Sequence, residues 1–495
     1  MKKFIKIHNK DNVAVALTDL KAGEKIKIHE RTIQVKTDVP KGHKLAIQKI
    51  SKGEDVIKYG LPIGYAFVHI DEGDFVHVHN TKTKLSGKME YIYNQKLADL
   101  DIINDNLSFM GYKRKNGSVG IRNELWIIPT VGCVNGIGQK IADTFKTTLD
   151  SRLIDHIEVY KHNYGCSQLG EDHENTKRIL GDLVKHPNCG GALVLGLGCE
   201  NNQVAAFKEH LGSTDEKRVK FLVAQEVEDE VEEGVRLLGE IFETMKDDVR
   251  EEVPFSELKV GLKCGGSDGL SGITANPLVG NFSDYLIAQG GTSVLTEVPE
   301  MFGAETILME RAMNEEVFGK IVHLINEFKE YFLANNQPVY ENPSPGNKNG
   351  GITTLEDKSL GCTQKAGHSK VTDVLKYGEI ISEKGLNLLS APGNDLVAST
   401  ALAASGCHLV LFTTGRGTPF GTLVPTIKIS SNSEIYNRKK IWIDFNAGVL
   451  VEDKSMEEVL EDFIRYIIDV ASGKLVNNEK NQFREIAIFK TGVTL

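Results

Sequence analysis

Over residues 3–83 apolar and polar positions alternate in short runs, as in Lys25-Ile26-Lys27-Ile28 and Asp74-Phe75-Val76-His77-Val78-His79. This is the period-two pattern of strands buried on one face. Turn signals at Lys21-Ala22-Gly23, Pro40-Lys41-Gly42, Lys52-Gly53 and Asp71-Glu72-Gly73 recur at strand-length spacing, so residues 1–83 predict a small all-β module. Residues 84–108 are polar and weakly periodic, with Tyr91 and Tyr93 as bulky anchors, and read as a linker. From Phe109 the pattern changes to short β-branched runs alternating with helix-period segments, the mark of βα units. Residues 230–245 predict an acidic amphipathic helix that buries Val231, Val235, Leu238 and Phe242 and closes a first α/β region, 109–252. A second region, 253–495, predicts strands near 293–296, 386–390 and 409–412 and a helix from Pro277 to Gly290-Gly291. Its last long helix opens with Ser455 and Glu458 as a capping box. The Pro- and Gly-rich stretch 335–361 is longer than an ordinary connection and predicts an active-site cover.

Composition narrows the function classes. A chain of 495 residues is too long for one core, and 68 acidic against 58 basic residues leave a formal charge of −10 without a long basic tract. A nucleic-acid partner is therefore not expected. The start, Met1-Lys2-Lys3-Phe4-Ile5, lacks the apolar stretch of a signal peptide, and no run reaches membrane-spanning length, so a cytoplasmic protein is expected. Seven cysteines, an odd number thinly spread, fit reduced thiols rather than a disulfide framework.

Four of those cysteines, Cys133, Cys166, Cys199 and Cys264, each follow a short apolar run that reads as a buried strand of a parallel sheet. Ligands of open α/β sheets bind outside the carboxyl ends of the strands. The expectation is therefore one shared site in which four thiolates bind iron or zinc. Cys189, Cys362 and Cys407 lack this context and read as packing. Cys264-Gly265-Gly266-Ser267-Asp268-Gly269 offers backbone amides to an anion, with a hydroxyl and a carboxylate beside them, or forms a tight strand-to-helix turn. In Gly415-Arg416-Gly417 the glycines leave a guanidinium room to grip a carboxylate. Asn347 and Lys348 add further polar groups from the long stretch. Glu297 and Glu300 suit a hard cation, acid–base work or a solvated helix start. His77 and His79 share a strand face, His43 follows a turn, and His173 follows Cys166. Neither GxGxxG after a strand nor GxxxxGK[ST] occurs, so nucleotide chemistry loses its main signature.

The chain resembles the altronate and galactarate dehydratase family. The resemblance is carried by Gly42-His43-Lys44, Lys58-Tyr59-Gly60-Leu61-Pro62-Ile63-Gly64, Gly120-Ile121-Arg122-Asn123, Cys264-Gly265-Gly266-Ser267-Asp268, Asn342-Pro343-Ser344-Pro345-Gly346-Asn347-Lys348 and Gly415-Arg416-Gly417-Thr418-Pro419. Tyr164-Gly165-Cys166-Ser167-Gln168-Leu169-Gly170 and Leu360-Gly361-Cys362-Thr363-Gln364-Lys365 are similar to its altronate-acting branch. The resemblance implies a β-clip module of the SAF type, a dimerising α/β region that makes a homodimer, and a Rossmann-like C-terminal domain. It also implies a sugar-acid substrate, ferrous iron as a single ion or in an iron–sulfur cluster, and conversion of D-altronate to 2-dehydro-3-deoxy-D-gluconate in hexuronate breakdown. The alternatives are galactarate or a related sugar acid as substrate, or a sugar-acid-binding protein without turnover. For the dehydration, the expected base is His43 or His173, the expected substrate contacts are Ser267, Asp268, Asn347, Lys348 and Arg416, and the expected metal ligands are Cys133, Cys166, Cys199 and Cys264.

Overall fold

The computed structural model describes residues 2–28, 31–98, 100, 105–148 and 153–492. The amino-terminal module is all β. One antiparallel sheet runs in the order Phe4–Ile5, Val13–Ala16, Lys44–Ala46, Phe75–Val76, and a second pairs Asp55–Lys58, Leu61–Ala66 and Thr81–Lys82. Strand alternation sorts Val13–Ala16 between surroundings: Ala14 and Ala16 enter one apolar cluster with Ile26, Ile33 and Val39, while Val15 packs on Leu270 of the carboxyl-terminal region. The module's outer face is thus already a docking face.

The segment predicted as a linker carries no regular secondary structure where described up to Leu107, yet it is a strap rather than a free tether. Leu85, Tyr91, Tyr93 and Leu107 pack on the carboxyl-terminal core, and the Tyr91 hydroxyl donates to Glu305 at 2.6 Å.

The middle region is a four-stranded parallel sheet ordered His156–Val159, Glu124–Pro129, Cys189–Gly196, Val219–Val223. Leu125 and Ile127 face the helices Asn135–Lys146 and Glu230–Met245, whereas Trp126 and Ile128 face Gly170–Lys185 and Val204–Leu211. A helix therefore covers each side, as a parallel sheet requires.

The carboxyl-terminal region is built on seven parallel strands in the order Val371–Leu375, Gly385–Leu389, Thr292–Leu295, Lys259–Cys264, Leu409–Thr414, Thr426–Ser430, Phe445–Asn446. One face packs on Ala275–Ala288 and Met456–Ala471 through Phe282, Phe463 and Ile467. The other packs on Asp395–Ala404, which meets Gly170–Lys185 of the middle region in one common core. Arg122 ties the regions further: its guanidinium is buried and donates to both carboxylate oxygens of Glu479, at 2.8 and 2.9 Å.

The predicted strands and the capped last helix are present, with Ser455 and Glu458 bonded as expected. Pro277 sits in the first turn of its helix, where no amide donor is needed. The stretch 335–361 differs from the expected structureless cover. It contains the helices Pro345–Asn349 and Leu355–Cys362, and the second is buried along its whole length. Its Pro and Gly residues punctuate short helices that are held by tertiary packing.

The module meets the large sheet without spare room. A Cβ at Gly269 would lie 1.8 Å from the carbonyl oxygen of Gly42. Gly269→Ala should therefore push the β module off its seat, costing about 1–3 kcal/mol as an overpacked contact does. Limited proteolysis of the strap and the thermal midpoint report this.

Candidate active site

The seven-stranded order reverses at Lys259–Cys264: strands 292–295, 385–389 and 371–375 extend to one side, and 409–414, 426–430 and 445–446 to the other. Loops leaving the two strands at such a switch point separate and open a crevice. Here they are Gly265–Asp268 and Gly415–Arg416, and the β module covers them. The resulting cleft of about 310 Å³ is lined by Lys41, Gly42, Asp268, Gly350, Arg416 and Arg438, among others.

Asp268 organises the cleft floor. Its Oδ1 accepts from Leu270 N at 3.1 Å, Ser271 Oγ at 2.9 Å and Ser431 Oγ at 2.8 Å, and Oδ2 accepts from Asn432 Nδ2 at 3.1 Å. Asn347 Nδ2 donates to the Ser267 carbonyl at 2.9 Å, fixing the same loop from the other side. Ser267 Oγ is buried with no hydrogen-bond partner among the described residues. Arg416 is exposed and donates to Gly346 O at 3.2 Å, which leaves other guanidinium donors for a ligand.

Beneath the cleft lies a set of buried charges. Lys44 Nζ and Lys58 Nζ of the module donate to Asp357 Oδ2 and Oδ1 at 2.8 and 3.0 Å. Burial brings Lys44 down to about 8, because the paired carboxylate only partly offsets lost hydration and Lys58 repels it. Against the desolvation that would raise it, the two ammoniums hold Asp357 far below the usual carboxylate range.

A second knot adjoins the first. Glu300 Oε1 pairs with Lys358 Nζ at 2.7 Å, and Oε2 accepts from the thiols of Cys264 and Cys362, both at 3.1 Å. The two sulfurs are 3.4 Å apart. Glu297 accepts from Lys263, from Lys365 at 3.4 Å and from Cys264 N at 2.9 Å. Glu297 is non-glycine in the left-handed region, φ 68°, ψ 58°, a strain that its buried partners maintain. Burial would raise Glu300, but Lys358, Lys263 and Lys365 hold it low. The Cys362 thiol is pushed well up by its hydrogen bond with Cys264 and by burial. A narrow crevice lined by Lys58, Tyr59, Ser267, Asp268, Lys358 and Cys362 joins this knot to the cleft side.

Three family models cover the chain: "Altronate/galactarate dehydratase SAF domain" over residues 2–84, "D-galactarate dehydratase/Altronate hydrolase, second domain" over 111–246, and "D-galactarate/Altronate dehydratase, C-terminal" over 255–494. The chain belongs to the altronate/galactarate dehydratase family. An altronate dehydratase of Bacillus subtilis (strain 168) is 64% identical to it, and one of Escherichia coli (strain K12) 58%, each with 100% of both chains covered. A galactarate dehydratase (L-threo-forming) of Escherichia coli (strain K12) is 34% identical, covering 95% of this chain and 93% of that one.

In this family member the residues expected from sequence divide between two places. Ser267, Asp268, Asn347 and Arg416 gather at the large-sheet edge, with Lys348 on the adjoining short helix. Cys264 is there too, and this corrects the four-thiol site: its strand belongs to the seven-stranded sheet, whereas Cys133, Cys166 and Cys199 follow strands of the middle sheet. Similar strand-end context in sequence does not reveal which sheet a strand joins. Cys362, read as packing, is instead the partner of Cys264. His43 is buried with its ring 5.3 Å from His77 and 5.5 Å from Phe75, so Gly42 lines the cleft while the imidazole turns into the module. Burial lowers its pKa. His173 sits on Gly170–Lys185 of the middle region, away from this edge. The sequence reading passed over Lys44, Lys58 and Asp357, although Lys44 and Lys58 stand inside quoted motifs. A lysine gives no sign in sequence that it will be buried.

Asp357→Asn would leave two buried ammoniums facing a neutral amide and should cost about 3–5 kcal/mol, the scale for breaking a buried ion pair. Urea unfolding measures it. A second expectation concerns pH. Burial, with Lys44 and His43 nearby, brings His77 to about 4 from its ordinary 6.5. Between those values the unfolded chain holds more protons, so stability falls as pH drops through that window. His77→Asn should flatten that part of the thermal-midpoint profile.

Proposed function

We propose that this chain eliminates water from D-altronate to give 2-dehydro-3-deoxy-D-gluconate, a step of hexuronate breakdown, with ferrous iron as cofactor. The observation that carries the reading is the cationic cleft beside buried proton-exchanging groups, in a chain similar over its full length to altronate dehydratases. Galactarate is the second reading, and the lower identity of the galactarate relative makes it the weaker one.

The reaction removes a weakly acidic proton from the carbon beside the carboxylate and expels hydroxide from the next carbon. Charge develops on the carboxylate side, so fixed cations there lower the barrier. Lys41, Arg416 and Arg438 provide them around a space that suits one sugar acid. Arg416 is assigned the carboxylate, and Asp268 and the Ser267 hydroxyl the polyol. His43 is one residue from the cleft wall but turns its ring onto Phe75 and His77, so it is assigned the seating of Gly42 rather than the proton transfer. Lys58 and Lys358, kept charged by Asp357 and Glu300, flank the crevice from which a proton would meet the leaving hydroxide.

The thiols of Cys264 and Cys362 and the Glu300 carboxylate fit iron by donor type and spacing, 3.1, 3.1 and 3.4 Å. One divalent ion replacing two thiol protons leaves the charge of this lysine-rich knot unchanged. When bound, iron supplies a Lewis acid for the carboxylate and adjacent hydroxyl.

Anaerobic protein with ferrous iron, reductant and D-altronate should form 2-keto-3-deoxy acid. Turnover of galactarate alone would move it to the sister activity, and no turnover of either would leave a binding protein. Arg416→Ala should raise KM roughly tenfold or more, as loss of a charge-assisted contact does. His43→Ala should leave kcat within about tenfold at unchanged iron content, less than the loss expected of a general base, because its ring faces the module.

A further inference from the structure

We infer that Cys133, Cys166 and Cys199 hold a four-iron iron–sulfur cluster through three thiolates and leave one of its irons without a protein ligand. The choice of iron rests on the proposed function; the geometry of the site does not.

The middle sheet reverses its order at Glu124–Pro129, which has His156–Val159 on one side and Cys189–Gly196 on the other. The three thiols stand on the loops that leave these three adjacent strands, at the switch point of the second sheet. Each cysteine follows a glycine: Gly132, Gly165 and Gly198. The loops are bonded in every pairing. Gly132 N donates to Tyr164 O at 2.9 Å, Asn202 N to Gly165 O at 3.0 Å, Ser167 N to Asn201 Oδ1 at 2.7 Å and Asn202 Nδ2 to Thr130 O at 3.1 Å. A Cβ at Gly165 would lie 2.1 Å from the Thr130 carbonyl oxygen, so only glycine allows the first two loops to approach this closely.

Burial separates these thiols from the rest. Cys133, Cys166 and Cys199 are exposed, whereas Cys264, Cys362 and Cys407 are buried and Cys189 is half-buried. A free thiol normally packs as a small apolar group. Three exposed on one laced edge have no packing role. The helices Asn135–Lys146, Gly170–Lys185 and Val204–Leu211 begin just after the three cysteines, and helix amino termini favour negative charge, here that of thiolates and sulfide. Glu200 is no ligand. It turns inward, accepting from Thr130 Oγ1 at 2.7 Å and Gly198 N at 2.6 Å, and holds the third loop in place.

The donor set, three exposed thiols on three separate loops, suits a cluster better than one ion. Among the described residues the one set of three ligand atoms all within 4.8 Å of one another is Cys264, Glu300 and Cys362. At least one pair of the exposed sulfurs is therefore wider apart than that, too wide for the shell of a single tetrahedral ion, whereas a cubane lies between its thiolates. Binding forms three iron–thiolate bonds and releases three thiol protons to solvent.

The test uses the full chain, reconstituted anaerobically with sulfide and equal parts ferrous and ferric iron. Beyond the one iron proposed at Cys264, Glu300 and Cys362, we expect about four iron and four acid-labile sulfide per chain, as a four-iron cluster requires, with a broad visible absorption bleached by dithionite. Cys133→Ser, Cys166→Ser and Cys199→Ser should each lose the sulfide and the absorption at unchanged far-ultraviolet circular dichroism, whereas Cys407→Ser and Cys189→Ser keep both. Iron bound without sulfide, or a cluster indifferent to the three substitutions, would overturn the inference. Keto-acid assays in parallel separate the two claims. A cluster without turnover of altronate refutes the proposed function and supports this site, while iron-dependent turnover without sulfide refutes the site and supports the function.

Discussion

Asp357 carries both ammoniums that the β module buries, and the remaining architecture of the site follows from that pairing. Lys44, Lys58 and Asp357 are 0–2% exposed, so each has given up its hydration for the other two. A charge in that position is tolerated only while paired. The module therefore seats in one register on the large sheet or leaves three uncompensated charges. The same seating puts Gly42 against Gly269 and Gly351, and Lys41 at the mouth of the cleft. A module that packed by apolar contact alone, through Val15 on Leu270, could slide. The ion triad makes it specific.

That seating also explains why the edge beneath is so rich in charge. Lys263, Lys358 and Lys365 face Glu297 and Glu300 in a space closed to bulk water, and each is neutralised at short range. Such a knot adds little to stability compared with apolar packing. Its value is positional: it holds charged donors and acceptors in fixed directions along the crevice that adjoins the cleft. Preorganised charge of this kind lowers barriers without moving at the moment of reaction.

Much of the fold was legible in the sequence because period and punctuation are local properties. The alternation in residues 3–83, the helix 230–245 and the Ser455–Glu458 cap all depend on neighbours a few positions away. The loops Gly265–Asp268 and Gly415–Arg416 were legible for a similar reason, as glycines beside polar groups after an apolar run. What escaped depends on distant partners. Cys264 and Cys133 have the same local context but sit on different sheets, and strand pairing is not written in either segment. Cys362 read as packing because it lacks the strand-end context of the other four, and only the tertiary fold sets it 3.4 Å from Cys264. His43 had the right neighbourhood, but after the turn at Lys41-Gly42 its ring packs on Phe75 and His77 within the module, a contact with residues more than thirty positions away.

Altronate is proposed to bind at the switch point of the large sheet, beneath the docked module. Crystallography of the iron-loaded protein soaked anaerobically with D-altronate tests it most directly. The account predicts the sugar acid between Lys41–Gly42 and Asp268, its carboxylate on Arg416, with anomalous iron density at Cys264, Glu300 and Cys362. Altronate bound instead at the edge bearing Cys133, Cys166 and Cys199, with the cleft empty, would contradict it and move the reaction to the middle sheet.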